Sequence, residues 1–275
     1  MERLRANQTG AGSREFKMDQ VYEAALEPKT YLWASMALLL NIGASVSNVF
    51  GPLILSGLGF DTYTTTLLNM PFGAVQVIVI LLSSYLAQKA RIKGIILAVL
   101  MLPVVAGLAI LYAVPRDNST TGALMAGYYL IAFIFAGNPL IISWVVANTA
   151  GTTKKSTNMS LYNAAVSAGN IIGPLLFNEK DAPTYLPGLR ACVGIFVALI
   201  AVFLLQWLDL WVLNKMQEKR RVRNGKPAKV VDMSMQSNHQ MEIENALETT
   251  GESHTGASGL TDLTDGKNDE FVYVY

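Results

Sequence analysis

Apolar residues along this chain neither alternate nor form a one-sided stripe. They fill six long runs: Tyr31 to Leu58, Thr66 to Leu86, Gly94 to Val114, Ala123 to Val146, Met159 to Phe177 and Leu189 to Leu213. Each run is close to the roughly 20 residues that an α-helix needs to cross the hydrocarbon core of a bilayer. A soluble helical core would show shorter helices, each with an apolar stripe and a polar face. No run carries a charged side chain near its centre. The pattern predicts an all-α integral membrane protein with a six-helix transmembrane bundle over residues 30–213. A cytoplasmic segment, residues 1–29, precedes the bundle. Residues 214–275 are too rich in Ser, Thr, Asn, Gly, Glu and Asp to bury a core of their own. They are expected to form a cytoplasmic, largely disordered tail.

The basic residues set the orientation. With residues 1–29 placed inside, the inner side gathers Arg3, Arg5, Arg14, Lys17 and Lys29, then Lys89, Arg91 and Lys93, then Lys154 and Lys155, then Lys215, Lys219, Arg220, Arg221 and Arg223. The outer side receives only Arg116, Lys180 and Arg190. This positive-inside bias predicts a multi-pass protein with both termini in the cytoplasm, and the plasma membrane is its expected location. The sequon Asn118-Ser119-Thr120 then falls outside. A net charge of +1 gives no global field for nucleic acid. Cys192 is the sole cysteine, so no disulfide can form within the chain.

Neutral polar side chains are unevenly shared among the runs. The third has no Asn, Gln, Ser or Thr, and the sixth has none from Ala191 to Leu205. The other four carry Asn41, Ser45, Ser47 and Asn48, then Asn69 and Gln76, then Asn138, Ser143 and Asn148 beside Trp144, then Ser160, Asn163, Ser167 and Asn170. An unsatisfied amide in hydrocarbon costs several kcal/mol, so these groups must face protein or water. Two readings stand: hydrogen bonds between helices, or the lining of a wet substrate path. On the second reading the lining is Asn41, Ser45, Asn48, Gln76, Asn138, Trp144, Asn148, Asn163 and Asn170. Trp144 could stack on a planar substrate or anchor at the inner interface.

Helix breakers fall in the same runs: Gly51-Pro52, Pro71, Gly137-Asn138-Pro139, and Gly169 to Gly173-Pro174. Transporters use such breaks to aim backbone groups at a substrate. Gly169-x-x-x-Gly173 reads equally well as a helix-packing motif. Lys154 and Lys155 are expected to act in topology and gating in a cytoplasmic loop. The polar runs are the first, second, fourth and fifth, a three-plus-three pattern of the kind an internal repeat gives. The sequence has no HExxH, P-loop or Rossmann signature. Both histidines, His239 and His254, lie in the tail, which excludes a histidine metal site in the membrane. No enzyme, cofactor or metal is expected.

One stretch is more specific: Ser143-Trp144-Val145-Val146-Ala147-Asn148-Thr149-Ala150-Gly151-Thr152-Thr153-Lys154-Lys155-Ser156-Thr157, followed by Ala168-Gly169-Asn170-Ile171-Ile172-Gly173-Pro174 and Asp181-Ala182-Pro183. Leu26-Glu27-Pro28-Lys29-Thr30, Asn69-Met70-Pro71, Asp262-Leu263-Thr264-Asp265 and the final aromatic cluster accompany it. With these residues the chain resembles the C-terminal half of fungal allantoate permease-like transporters, the anion:cation symporter branch of the major facilitator superfamily. The resemblance implies a fold of twelve helices in two bundles, of which this chain would supply helices 7–12. It also implies that residues 1–29 are a remnant of the central loop. Alternating-access transport of small organic anions follows as the expected activity, with allantoate, ureidosuccinate, vitamins or small peptides as substrates. The expected partners are that substrate, the bilayer, and an N-terminal six-helix bundle or full-length transporter, with no nucleic acid. A truncated or half-length member is the expected form. The alternative is a non-transporting partner that associates with a full-length transporter and modulates it.

Overall fold

The computed structural model describes residues 15–47, 62–90, 92–115, 119–181, 184–228 and 262–275. Asn48, Asp61, Asn118, His239, His254 and the Gly51-Pro52 break lie outside these residues. Every regular element among the described residues is helical: α1 (Met18–Leu26), α2 (Pro28–Ser45), α3 (Thr62–Ala90), α4 (Lys93–Ala113), α5 (Thr121–Ile131), α6 (Gly137–Ala147), α7 (Thr152–Ile172) and α8 (Leu186–Arg223). Short 3₁₀ turns occupy Ala132–Ala136, Gly173–Leu176 and Glu179–Asp181. Among the described residues, four helical stretches are long and apolar enough to cross a membrane: Tyr63–Ala90, Lys93–Ala113, Thr121–Ala147 and Leu186–Arg223. The α7 segment is long enough, but its serines and asparagines make it too polar to count among them. The first apolar run continues past α2 into residues 48–58, beyond those described.

The breaks follow from local chemistry. Pro28 cannot donate a helical hydrogen bond to α1, and its fixed φ suits the first turn of α2, so the helix restarts there. Pro139 sits in the first turn of α6, where its missing N–H is tolerated. A proline ring also crowds the carbonyl four residues back, here Phe135. The chain answers with the tighter 3₁₀ turn Ala132–Ala136 between α5 and α6.

The chain divides into two compact units. The larger comprises residues 31–142 and 161–207. Its packing is aromatic and close. Phe72 of α3 stacks on Tyr128 of α5, with ring centroids 4.6 Å apart, and meets Phe135 edge-on. The Tyr128 hydroxyl donates to Asn69 at 2.6 Å. A Cβ on Gly169 would sit 2.8 Å from the Leu38 carbonyl, and one on Gly173 2.9 Å from the Ile42 carbonyl. No side chain fits there, so these two glycines let α7 lie directly on α2.

The smaller unit comprises residues 1–30, 143–160 and 208–275. It contains α1, the turn from α6 into α7, the polar end of α8 and residues 262–275. Gly151, at φ +89°, makes the turn into α7. The unpaired N–H groups that open α7 are met by side chains from elsewhere in the unit. Asp262 accepts from Thr152 N–H at 2.7 Å, and Gln20 accepts from Thr153 and Lys154 N–H at 3.1 Å. A carboxylate there also complements the helix dipole.

Candidate functional site

The residues proposed from sequence fall into three settings. The first is an amide pair in the core of the larger unit. Asn41 of α2 is 5% exposed and faces Asn138 of α6, each amide donating to the other at 3.3 Å. Asn41 also donates to the Ala37 carbonyl, and the Tyr162 hydroxyl of α7 donates to Asn138 Oδ1 at 2.8 Å. Three helices are thus joined through one polar knot. Ser45 is buried and turned back onto the Ile42 carbonyl of its own helix. Gly137 is buried against Leu40, and Gly169 and Gly173 against the α2 backbone. Gln76 of α3 is half-buried.

The second setting is an exposed polar face on α7. Asn163, Ser167 and Asn170 are all exposed, at spacings of four and three residues that put them on one side of the helix. Pro174 continues this side and is exposed, as is Pro139 of α6. The helix buries Tyr162, Gly169 and Gly173 on its other side. Exposed amides and hydroxyls are costly against lipid, and Ile171, 70% exposed, shares this side.

The third setting lies in the smaller unit, and sequence reasoning did not foresee it. Lys154, at 0% exposure, is surrounded by carboxylates: Glu23 at 2.9 Å, Glu27 at 2.6 Å and Asp265 at 3.0 Å. Lys29 is also buried. It pairs with Asp265, lies 3.3 Å from Glu27, and sits over the Tyr273 ring at 4.9 Å. The Tyr273 hydroxyl donates to Asp265 at 2.9 Å, and Thr264 donates to Glu23 at 2.8 Å. Burial alone would raise the Asp265 carboxyl, but Lys29 and Lys154 more than offset it and hold it at about 2. Burial likewise works against a charged Lys154, yet Asp265 and Glu27 lift its pKa above the ordinary lysine value. Glu27 is pushed up by burial, against the pull of Lys29, with the Asp265 charge adding to the rise. Three carboxylates share two ammoniums, and burial favours the protonated form of Glu27. Lys155 is half-buried beside this cluster, and burial lowers its pKa.

Trp144 and Asn148 belong to the same setting. Both are fully buried. The Trp144 indole N–H donates to the Val274 carbonyl at 2.8 Å. Asn148 donates to that carbonyl at 3.0 Å and accepts from the Val274 N–H at 2.7 Å. Their structural partner is therefore the chain's own last residues. The signal for this cluster was present in the Asp262-Leu263-Thr264-Asp265 motif and the terminal aromatics. Hydropathy reads them only as solvated tail. Among the described residues no group of acidic, histidine and cysteine side chains could hold a metal ion.

Residues 2–174 match the Major Facilitator Superfamily. The chain belongs to this superfamily. It is 37% identical to the MFS-type transporter cnsL of Penicillium expansum over 205 residues, 74% of this chain and 42% of that protein. It is 26% identical to the Thiamine pathway transporter THI73 of Saccharomyces cerevisiae and 27% identical to the Allantoate permease of the same organism. Each of these alignments covers 100% of this chain and 47% of the relative. The chain thus spans less than half the length of these superfamily members. No solved structure matches it. These relatives are named as transporters or permeases, and none is named as an enzyme.

Proposed function

We propose that the chain supplies one six-helix bundle of a carrier that moves small organic anions across the membrane by alternating access. The exposed face of α7 carries this reading. Asn163, Ser167 and Asn170 give it hydrogen-bond donors and acceptors suited to carboxylate and ureido groups. A surface of this kind does not belong against acyl chains. In the carrier reading it lines a path completed by a second helical bundle. The four candidate spans, with α2 and α7 as the remaining two, support the count of six.

Asn41 and Asn138 then act from behind this face. Their knot with Tyr162 fixes α7 against α2 and α6 and so sets where the polar row points. Gln76 and, outside the described residues, Asn48 complete the proposed lining. The basic residues around Lys154 and at the end of α8 support cytoplasmic termini, with the plasma membrane as the proposed location. Relatives named for allantoate and for the thiamine pathway suggest the substrate class, allantoate, ureidosuccinate, a vitamin or a small peptide, without choosing within it.

Uptake of radiolabelled allantoate and ureidosuccinate tests the reading, in cells expressing this chain alone or together with an N-terminal six-helix bundle of the same family. Uptake in either case, lost in Asn170→Leu, supports the carrier. Absence of uptake in both, with the chain present in the membrane, favours a partner that only modulates a full-length transporter.

A further inference from the structure

Residues 262–275 are held in an unusual way for the end of a chain. They contribute no helix or strand, yet Asp265, Thr264, Phe271, Tyr273 and Val274 are all at least nine-tenths buried. The docking surface is made of helix ends: α1, the first turn of α2, the last turn of α6, the first turn of α7 and the last turns of α8. Its side chains grip the segment by the backbone. Asn214 of α8 accepts from the Tyr273 N–H and donates to the Tyr273 carbonyl, both at 2.8 Å. Asn148 does the same to Val274. In an extended chain, consecutive residues present their N–H and C=O groups to opposite sides. The two asparagines thus hold consecutive residues by both backbone groups, each standing in for a neighbouring strand, as in peptide recognition by strand addition. Gln217 donates to the Asp265 carbonyl at 2.9 Å. At the other end, Asp265 enters between Lys29 and Lys154, and its second oxygen takes the Ala150 N–H at 3.1 Å.

The site itself is suited to survive separation from the segment. Removing Asp265 leaves Lys29 and Lys154 facing Glu23 and Glu27, two cations with two anions, so the vacated site is charge-balanced. Docking brings a third carboxylate, and Tyr273 and Ala150 donate to it. We propose that residues 262–275 are a detachable strap, that the surface formed by these helix ends is a binding site for an extended peptide of acidic and aromatic character, and that Asp265 is the pin that decides whether the site is filled. Docked, the strap ties the ends of α2, α6, α7 and α8 together. Released, it frees them. Thr264 marks where a negative charge would eject it, because its hydroxyl lies against the Glu23 carboxylate.

The inference does not depend on the carrier reading, and its test needs no substrate. The full chain carrying Val274→Cys is reconstituted in lipid nanodiscs, and its labelling by a water-soluble maleimide is timed. Cys192, buried, gives the background, which is set in the unsubstituted chain. A synthetic peptide of residues 262–275 is then added at about 1 mM, the scale of effective concentration for a tethered segment. The strap account predicts slow labelling that the peptide accelerates about tenfold, with no acceleration by the same peptide carrying Asp265→Asn. Thr264→Glu in the chain should speed labelling without any peptide. Labelling that neither the peptide nor Thr264→Glu changes would make the segment a fixed brace and overturn the proposal. Equal acceleration by the wild-type and Asp265→Asn peptides would remove Asp265 as the pin.

Discussion

The two polar centres of this molecule solve the problem of burial in opposite ways. In the larger unit, Asn41, Asn138 and Tyr162 are neutral, and every bond in the knot is an ordinary amide or hydroxyl bond. In the smaller unit, Lys29, Lys154 and Asp265 are charged and buried together, with Glu23 and Glu27 half-buried beside them. A neutral knot of this kind contributes about 0.6–2 kcal/mol between membrane helices, and losing one member leaves little behind. An ionic cluster has small net worth when complete, but it penalises incompleteness heavily, because a stranded buried charge cannot be re-solvated. The first device suits a fixed joint. The second suits a contact meant to be complete or absent.

That difference can be tested by breaking each centre. The largest effect is expected from Lys154→Ala, which leaves Lys29 as the one ammonium for the buried Asp265 and for Glu27. Loss of one partner from a buried pair costs about 3–5 kcal/mol, enough to abolish a monodisperse folded chain in detergent. Fluorescence-detected size exclusion after stepwise heating reads this directly. Next comes Gly169→Leu, whose side chain has no room above the Leu38 carbonyl. Overpacking costs about 1–3 kcal/mol, and the same assay should show a lower melting midpoint with a sharp elution peak retained.

Acidity separates the two centres without mutation. The Asp265 carboxyl is held below its ordinary 3.8, at about 2. Its contribution to the docked smaller unit is therefore present above about 4 and is lost as pH falls toward 2. Glu27 is raised above its ordinary 4.5 while facing Lys29, Lys154 and Asp265. Its contribution is present below 4.5 and is lost as pH rises through its raised value. Docking should therefore be tightest in mildly acidic buffer. Glu27→Gln should flatten the alkaline limb of Val274→Cys labelling and leave the acid limb in place. The neutral knot should show neither limb: Tyr162→Phe should lower stability by about 1 kcal/mol equally at every pH. The smallest effect is a gain. Gln206 of α8 is fully buried with neither amide atom bonded, so Gln206→Leu should raise the melting midpoint by an amount equivalent to about 1 kcal/mol.

Much of the fold was legible because hydropathy reports directly on helices that meet lipid. The run Gly94 to Val114 became Lys93–Ala113, and Thr66 to Leu86 became Thr62–Ala90. The helix after Leu189 runs on to Arg223, since Lys, Glu, Gln and Arg are good helix formers that apolar counting ignores. Gly137-Asn138-Pro139 marked the 3₁₀ break through proline chemistry alone. Asn163 and Asn170 were legible as polar positions in an apolar run. Which amides pair with each other was not, because Asn41 and Asn138 are equivalent to them in sequence and only packing separates the paired amides from the exposed row. The ion cluster was hidden for a different reason. Each of its charges looks solvated when read alone, and only the return of the last residues to the helix ends makes them neighbours.

The central claim is that the α7 row faces water while equally exposed apolar positions face lipid. Asn170 on α7 and Val99 on α4 are both exposed in the structure. Their cysteine variants, labelled in native membranes with a charged maleimide, separate the two surroundings. The account predicts fast labelling of Asn170→Cys, slowed by excess transported anion, and slow labelling of Val99→Cys that no anion alters. Equal rates at the two positions would contradict it.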